Sequence, residues 1–328
     1  MTSLVYTFTS LILIMFVSSF RVIADTGGAG LQDNYYKSSC PPAEAVVKRV
    51  AVANFTDPSD PRGLRFAAGL LRLSFHDCHV DGCDASVLLD GPNAEKTAEV
   101  NTFLTGFEII DKAKAELESV CPGVVSCADI IAYAARDAVI ALNGTSFNVQ
   151  GGRKDGIVSL ASRAQAQLPS PDMTVTELTA NFARKGLSMD QMVILSGSHT
   201  SAASHCPSIV RRLYNFNGTG QTDPSMPSAL ADRLKALCPK NTFNDTVIIP
   251  LDSLSFSFDT GYYRTLQIHE GVFTSDQSLY DDQRTQPLVN LLTNNALFQA
   301  QFGQAMRAMG RVGVKLTGEI RRDCRKVN

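Results

Sequence analysis

The sequence predicts an all-α fold held together by four disulfides, and three observations support this prediction. Segments with the apolar spacing of a helix recur along the chain, whereas strand-like alternation is scarce. The cysteines number eight, an even count that fits four disulfides. With 328 residues, of which 44% are hydrophobic, the chain can bury a sizeable core and is not expected to be disordered.

The first 24 residues, MTSLVYTFTSLILIMFVSSFRVIA, predict a cleaved signal peptide. An apolar run is followed by small residues, so the boundary could lie as late as residue 30. Two alternatives stay open, a buried first helix or a membrane anchor, because the segment before the apolar run carries no basic side chain. We expect no membrane association after cleavage, since no second apolar span follows.

Two further features indicate secretion. Four N-x-S/T sequons predict a glycoprotein, at Asn54, Asn143, Asn217 and Asn244. All eight cysteines follow the predicted signal peptide, and no CxxC pair suggests a zinc ribbon or a thioredoxin-like centre.

The net charge of −2, with scattered lysines and arginines, gives no basic patch for nucleic acid.

Helical spacing is clearest in four segments, residues 106–120, 127–142, 174–185 and 286–309. Short loops rich in Pro or Gly separate the predicted helices, with no long linker and no internal repeat. We therefore expect one domain over residues 31–328.

The segment LLRLSFHDCHVDGCDAS, residues 70–86, places polar side chains on an apolar background. If it is helical, Arg72 and His76 are four residues apart and share one face with Phe75. Such a face is neither plainly core nor plainly surface, which makes it a candidate reactive site.

A second segment, SMDQMVILSGSHT at residues 188–200, predicts a helix that ends near His199. Ser188 and Gln191 form a capping-box pattern, and Gly186 is a stop for the preceding helix. Taken alone, this segment favours a buried His199 that is bonded to a backbone carbonyl. Ser198 and His199 do not form a hydrolytic pair, because adjacent helical residues do not face each other.

Motifs along residues 31–328 resemble the class III secretory plant peroxidases, in that family's order and spacing. They are RLSFHDC with GCDAS, then EKTAEVN, GFEIIDKAK, VSCADI, LPSP, LSGSHT, SDQSLY and a terminal CR. The resemblance implies a two-lobed, all-α haem peroxidase fold with haem b between the lobes. It also implies a monomer in the apoplast or cell wall that uses hydrogen peroxide to oxidise small phenolic donors.

The resemblance implies a role for each unusual side chain. His199 would be the proximal iron ligand, and Asp276 would accept its other ring proton. On the opposite side, His76 would act as general base and then general acid on the peroxide, while Arg72 would stabilise developing charge. Phe75 would cover the iron, and Asn101 would hold the second ring nitrogen of His76. Pro169 in LPSP would contact the donor at the exposed haem edge.

The family also implies two calcium ions and a disulfide pairing, although the sequence alone leaves every pairing open. The first calcium would use Asp77, Val80, Gly82, Asp84 and Ser86, with Glu95 linked through water. The second would use Thr200, Asp252, Ser255, Ser257 and Asp259. The second loop is one residue shorter than usual, so we expect that site to be the weaker. The implied disulfides are Cys40–Cys121, Cys78–Cys83, Cys127–Cys324 and Cys206–Cys238.

Several positions depart from the common family pattern: Gly69, Ser74, His79, Phe147 and Ser201 to Ser204. An alternative function is therefore a secreted, calcium-stabilised glycoprotein with weakened or lost haem peroxidase activity. The full set of Arg72, His76, Asn101, His199 and Asp276 favours the enzyme.

Overall fold

The computed structural model describes residues 30–57, 63–241, 247–252, 257–315 and 317–328. Within these ranges the chain forms thirteen α-helices and four two-residue strands, which confirms the all-α prediction. The helices are α1 Ala43–Phe55, α2 Gly63–His79, α3 Phe107–Val120, α4 Cys127–Ala141, α5 Ala161–Gln167, α6 Val175–Ala183, α7 Met189–Ser196, α8 Val210–Tyr214, α9 Ser228–Leu237, α10 Gly261–Gln267, α11 Thr274–Asp281, α12 Gln286–Leu291 and α13 Asn295–Met309.

The strands form two small antiparallel pairs. Strand β1 (Gln32–Asp33) pairs with β2 (Gln150–Gly151), and β3 (Ala203–Ser204) pairs with β4 (Ile249–Pro250). In the second pair, β3 begins four residues after His199, so the pairing restrains the chain just beyond that histidine.

Most of the core lies where α1 to α4 pack on one another, and α2 packs most extensively against α4. A second group forms around α7, which contacts α6, α12 and α13. Burial of Leu70 and Leu73 fixes the apolar side of α2 against the core. Arg72 and His76, four residues apart, share a different face of α2.

Side-chain caps mark the start of four helices, α4, α6, α7 and α13. Ser188 Oγ accepts a hydrogen bond from the Gln191 backbone N–H at 3.1 Å, and Gln191 Oε1 accepts from the Ser188 backbone N–H at 2.8 Å, so the predicted capping box is present. After Ser196 the chain continues as the 3₁₀ turn Gly197–Ser201. The single helix predicted over 286–309 is wrong, because Asn294 caps a new helix by accepting a hydrogen bond from the Leu297 N–H.

The four implied disulfides are all present: Cys40–Cys121, Cys78–Cys83, Cys127–Cys324 and Cys206–Cys238. The shortest, Cys78–Cys83, clamps the loop that follows α2. The predicted signal peptide lies outside the described residues. In the described part of the chain, the helices are all too short or too polar to cross a membrane.

Candidate active site

Helix α2 places Arg72 and His76 in direct contact. Arg72 Nε donates a hydrogen bond to His76 Nε2 at 3.1 Å, and Arg72 Nη2 donates to the Val100 carbonyl oxygen at 3.1 Å. The other ring nitrogen, His76 Nδ1, lies 2.6 Å from Asn101 Oδ1. Asn101 Nδ2 donates to the Glu95 carbonyl oxygen at 2.7 Å. Because that bond turns Asn101 Oδ1 toward His76, the ring proton belongs on Nδ1 and Nε2 keeps its lone pair.

Burial lowers the pKa of both Arg72 and His76. Burial, followed by the charge of Arg72, holds the pKa of the His76 imidazole well below its ordinary value of 6.5. Arg72 is accessible to solvent, and yet desolvation by the surrounding protein lowers its pKa to about 10. Because its pKa lies well below 6.5, His76 is neutral at neutral pH, as a general base must be.

The second histidine, His199, lies in the 3₁₀ turn after α7. Its Nδ1 is 2.8 Å from Asp276 Oδ1 on α11, and the Tyr262 hydroxyl donates to the same oxygen at 2.8 Å. Asp276 is almost fully buried, whereas the His199 side chain is 34% exposed. A buried carboxylate thus holds Nδ1–H, which leaves Nε2 as the nitrogen with a free lone pair. The partner is not the backbone carbonyl that a structural histidine would use.

These two histidines fit a haem group by their chemistry. An imidazole whose Nδ1–H is bound by a carboxylate is a strong axial ligand through Nε2. A neutral imidazole beside a guanidinium suits proton transfer and charge stabilisation on a peroxide. His199 would therefore hold the iron, and Arg72 and His76 would supply the groups that act on the peroxide.

The loop after α2 gathers buried oxygen atoms. Asp77 Oδ2 accepts from the Ala85 N–H at 3.0 Å, and Asp84 Oδ1 accepts from the Ser86 N–H at 3.0 Å. Three of the buried oxygens that lack a hydrogen-bond partner among the described residues lie in or beside this loop: Asp77 Oδ1, Ser86 Oγ and Glu95 Oε2. Gly82 is required here, because a Cβ at its φ of +107° would come within 2.6 Å of the Gly313 carbonyl oxygen.

The same loop has the electrostatics of a cation site. Burial, and then the charge of Asp84, holds the pKa of Asp77 well above its ordinary value. Burial likewise raises the pKa of Glu95 to about 8. The Lys315 ammonium lies 2.7 Å from Asp84 Oδ2, and the charge of Arg321 acts on Asp77 without offsetting the effect of burial on its pKa. Carboxylates that repel one another and buried oxygens without partners fit a hard cation such as calcium.

The second expected calcium site is partly described. Thr200 Oγ1 lies 2.9 Å from Asp252 Oδ2 and 3.1 Å from Asp259 Oδ1, so three of the implied ligands meet. Ser257 is described and half-buried, whereas Ser255 lies outside the described residues. In the ranges that the structure covers, no three His, Cys, Asp or Glu side chains could hold a metal by themselves. Both sites would therefore depend on hydroxyl and carbonyl oxygens as well.

Pro169 follows α5 and is partly exposed. Its neighbour Leu168 packs in a small apolar cluster with Val80, Ala98 and Ala164, against which Phe75 also packs. Pro169 thus lies next to side chains that contact the residue expected to cover the iron.

Four of the departures from the family pattern, Gly69, Ser74, His79 and Phe147, lie in defined local surroundings. At Gly69, the Thr105 hydroxyl occupies the space that a Cβ would need, so a larger residue would displace Thr105. Ser74 and Phe147 line the same internal cavity. His79 is fully buried, burial lowers its pKa to about 4, and its Nε2 lies 2.9 Å from Asn181 Oδ1.

Sequence reasoning missed two side chains of the site. Tyr262, which donates to Asp276, stands in GYYR without a local pattern that marks it. Asn181, the partner of His79, is 102 residues away in sequence. Neither contact could be found from spacing, because each joins two elements that only the tertiary fold brings together.

Comparison with known proteins identifies the class. The model of the peroxidase family matches residues 47–295. Peroxidase 5 of Vitis vinifera is 46% identical over 308 residues, covering 92% of both chains. Peroxidase 55 of Arabidopsis thaliana is 44% identical over 94% of both chains, and Peroxidase N1 of Nicotiana tabacum is 42% identical over 92% of both.

The chain belongs to the peroxidase family. It is a hydrogen peroxide-dependent peroxidase of the plant class III type, which confirms the resemblance read from its motifs.

Proposed function

We propose that the protein is a secreted peroxidase with haem b that oxidises small phenolic donors by one-electron steps. The observation that carries the proposal is the hydrogen-bonded set of Arg72, His76 and Asn101, together with His199 held by buried Asp276. The overall reaction would convert one hydrogen peroxide and two phenols into two waters and two phenoxyl radicals.

Haem bound through His199 would supply the redox-active iron that takes up the oxidising equivalents of peroxide. His76 Nε2, which carries the lone pair, would take a proton from one peroxide oxygen and return it to the departing oxygen, so that water leaves. Asn101 would keep Nδ1 protonated throughout and would hold the ring in place.

Arg72 would stabilise the negative charge that develops as the O–O bond breaks. With a pKa of about 10, it remains protonated at neutral pH. Its bonds to His76 Nε2 and to the Val100 carbonyl oxygen aim the guanidinium toward the side where the peroxide would be. Phe75 would form a wall of this chamber and limit its volume.

Asp276 would set the strength of the axial ligand. By accepting the Nδ1 proton of His199 in a hydrogen bond, the carboxylate gives the imidazole partial anionic character. A more basic ligand stabilises oxidised iron, which a peroxidase needs. Tyr262 donates to the same Oδ1 and moderates this effect.

Small phenols would react at the haem edge near Pro169 and not above the iron. Arg72, Phe75 and His76 lie against one another and would form the wall of the peroxide chamber, so a phenol ring would approach from elsewhere. Pro169→Ala should therefore change the KM for phenols. Mutations distinguish the two regions. The edge proposal fails if Pro169→Ala leaves the KM for phenols unchanged while Phe75 variants alter phenol binding.

We further propose two bound calcium ions, one at Asp77, Val80, Gly82, Asp84 and Ser86, and one at Thr200, Asp252, Ser255, Ser257 and Asp259. Unpaired buried oxygens support the first site, and the cluster at Thr200 supports the second.

The protein would be a glycosylated monomer, exported by its first 24 residues to the apoplast or cell wall. Asn143 and Asn217 are exposed residues, which favours glycosylation at both. The Asn54 amide instead donates to the Val50 carbonyl oxygen within α1, which disfavours modification there. Asn244 lies outside the described residues.

The test is reconstitution of the chain with haemin and calcium, followed by measurement of peroxide consumption with and without guaiacol. We expect consumption beyond one equivalent of peroxide per haem to require the donor, with two donor radicals formed per peroxide. Stable haem binding without peroxide consumption would instead favour the alternative, a calcium-stabilised glycoprotein without useful haem chemistry.

A further inference from the structure

Three aromatic rings pack together beside the distal residues. The ring centroids of Phe75 and His79 are 4.4 Å apart, those of His79 and Phe182 are 4.7 Å apart, and those of Phe75 and Phe182 are 6.0 Å apart. His79 and Phe182 are buried, whereas Phe75 is only partly buried. Phe75 also contacts His76, with centroids 5.8 Å apart. The position of His79 therefore helps to determine where Phe75 stands next to the general base.

His79 is itself fixed by a hydrogen bond between two helices. Its Nε2 lies 2.9 Å from Asn181 Oδ1 on α6. Asn181 Nδ2 donates to the Gln167 carbonyl oxygen at 3.0 Å, which turns Oδ1 toward the imidazole and makes Nε2 the donor. Asn181 is 1% exposed and His79 is 0% exposed, so water does not compete for this bond.

A polar pair at this place needs a reason, because an apolar ring could fill the same volume. Burying an imidazole and an amide is unfavourable unless they bond to each other, and His79 Nδ1 still has no partner among the described residues. A hydrogen bond adds direction, which a purely apolar contact lacks. It fixes the rotation of the His79 ring and so the surface against which Phe75 packs.

We propose that His79 and Asn181 form a positioning pair that holds Phe75 against the distal chamber and so restricts reaction to small hydroperoxides. The specificity part rests on the proposed function, since it takes the chamber beside His76 to be the peroxide site. The positioning part rests only on the contacts of Phe75, His79, Asn181 and Phe182. Neither His79 nor Asn181 would contact the peroxide.

The test compares hydrogen peroxide with cumene hydroperoxide, a bulky analogue, by stopped-flow measurement of the second-order rate constants on the holoenzyme. Asn181→Leu and His79→Phe each remove the hydrogen bond. The ratio of the rate constant for hydrogen peroxide to that for cumene hydroperoxide should then fall at least about threefold. The double variant, Asn181→Leu with His79→Phe, removes both polar groups and leaves neither one unpaired. It should therefore be thermally more stable than either single variant, while its rate-constant ratio stays low. A merely structural role would make the ratio recover together with the stability.

Thr285→Val is the matched control. It removes another buried hydrogen bond, from Thr285 Oγ1 to the Leu279 carbonyl oxygen at 2.6 Å. It should lower stability and leave the ratio unchanged within about twofold. An equal change of the ratio in this control, or an unchanged ratio in both Asn181→Leu and the double variant, would overturn the specificity role.

Crystal structures of the wild type and the double variant give a readout that does not depend on activity. We expect one Phe75 side-chain conformation in the wild type. In the double variant the side chain should be displaced or should occupy two alternate conformations. An unchanged Phe75 would overturn the positioning role. If the wild type does not react with hydrogen peroxide, the proposed function and the specificity role fail together, and the crystal structures still decide the positioning role.

Discussion

The Nδ1 atom of His76 and the Oδ1 atom of Asn101 lie 2.6 Å apart, although 25 residues separate them in sequence. Because the Glu95 carbonyl oxygen orients the Asn101 amide, this contact determines which ring nitrogen of His76 carries the proton. The other nitrogen, Nε2, carries the lone pair and accepts a hydrogen bond from Arg72 Nε at 3.1 Å. One amide thus prepares His76 to accept a proton.

Replacing His76 should separate catalysis from cofactor binding. His76→Ala should slow the reaction with hydrogen peroxide by roughly 10² to 10⁴, the usual loss when a general acid-base is removed, with haem still bound. Asn101→Leu should slow it by about 10- to 100-fold, as loss of an orienting partner does. Stopped-flow absorbance measures both, and Asn290→Leu, which changes an exposed amide, is the control. A His76→Ala rate constant within about twofold of wild type would exclude this role.

The pH dependence should reflect the lowered pKa of His76. Since burial and then Arg72 hold that pKa well below 6.5, the rate constant should stay level as pH falls through 6.5 and should decline only in more acidic solution. Arg72→Leu removes a neighbouring positive charge, so the decline should begin at a higher pH. A wild-type midpoint at or above 6.5 would contradict the burial of a neutral imidazole.

The same shift has a consequence for stability. A histidine whose pKa is lower in the folded than in the unfolded state makes the unfolded state bind more protons below 6.5. The stability contributed by neutral His76 is therefore present above that pH and is lost as pH falls below it. His76→Phe should flatten this part of the pH profile of the unfolding free energy.

Asp276 should control the reduction potential of the iron. His199→Ala should abolish stable haem binding, whereas Asp276→Asn should keep haem and raise the potential, because the ligand loses its anionic partner. We expect a shift on the order of 60 mV, which equals about 1.4 kcal/mol for one electron. Tyr262→Phe frees the carboxylate from a competing donor and should shift the potential the opposite way. A normal haem spectrum in His199→Ala would contradict the ligand assignment.

The two calcium sites should empty in order. The proposed ligand loop that contains Asp252 and Asp259 is one residue shorter than the family resemblance implies, whereas the loop around Asp77 is clamped by Cys78–Cys83. Stepwise chelation should therefore remove the ion at Thr200 first and change the haem absorbance, since Thr200 adjoins His199. Metal analysis alongside absorbance checks this order. Simultaneous loss of both ions, or a first loss that Asp77→Ala abolishes, would show the order to be wrong.

Features set by neighbouring residues could be predicted from the sequence, and features set by distant ones could not. The Ser188–Gln191 capping box is local and was predictable, as was the shared face of Arg72 and His76. The break before α13 was not, because Asn294 looks like an ordinary polar position in an amphipathic run.

Contacts between residues that are far apart in the sequence could not be predicted from residue spacing alone. The contact between His199 and Asp276 spans 77 residues, and only the resemblance to a family pointed to it. The bond between His79 and Asn181 spans 102 residues, and the family pattern gave no indication of it, since His79 departs from that pattern. Such contacts depend on how helices pack, which no local propensity encodes.

The most direct test of the central claim is the absorption spectrum of the purified holoprotein before and after one equivalent of hydrogen peroxide. We expect a haem Soret band that changes within the mixing time of a stopped-flow instrument and returns after two equivalents of a phenolic donor. The same chain with His76→Ala should show the initial band and a much slower change. A wild-type spectrum without haem absorption, or one that peroxide leaves unaltered, would contradict the assignment of Arg72, His76 and His199 to a peroxidase site.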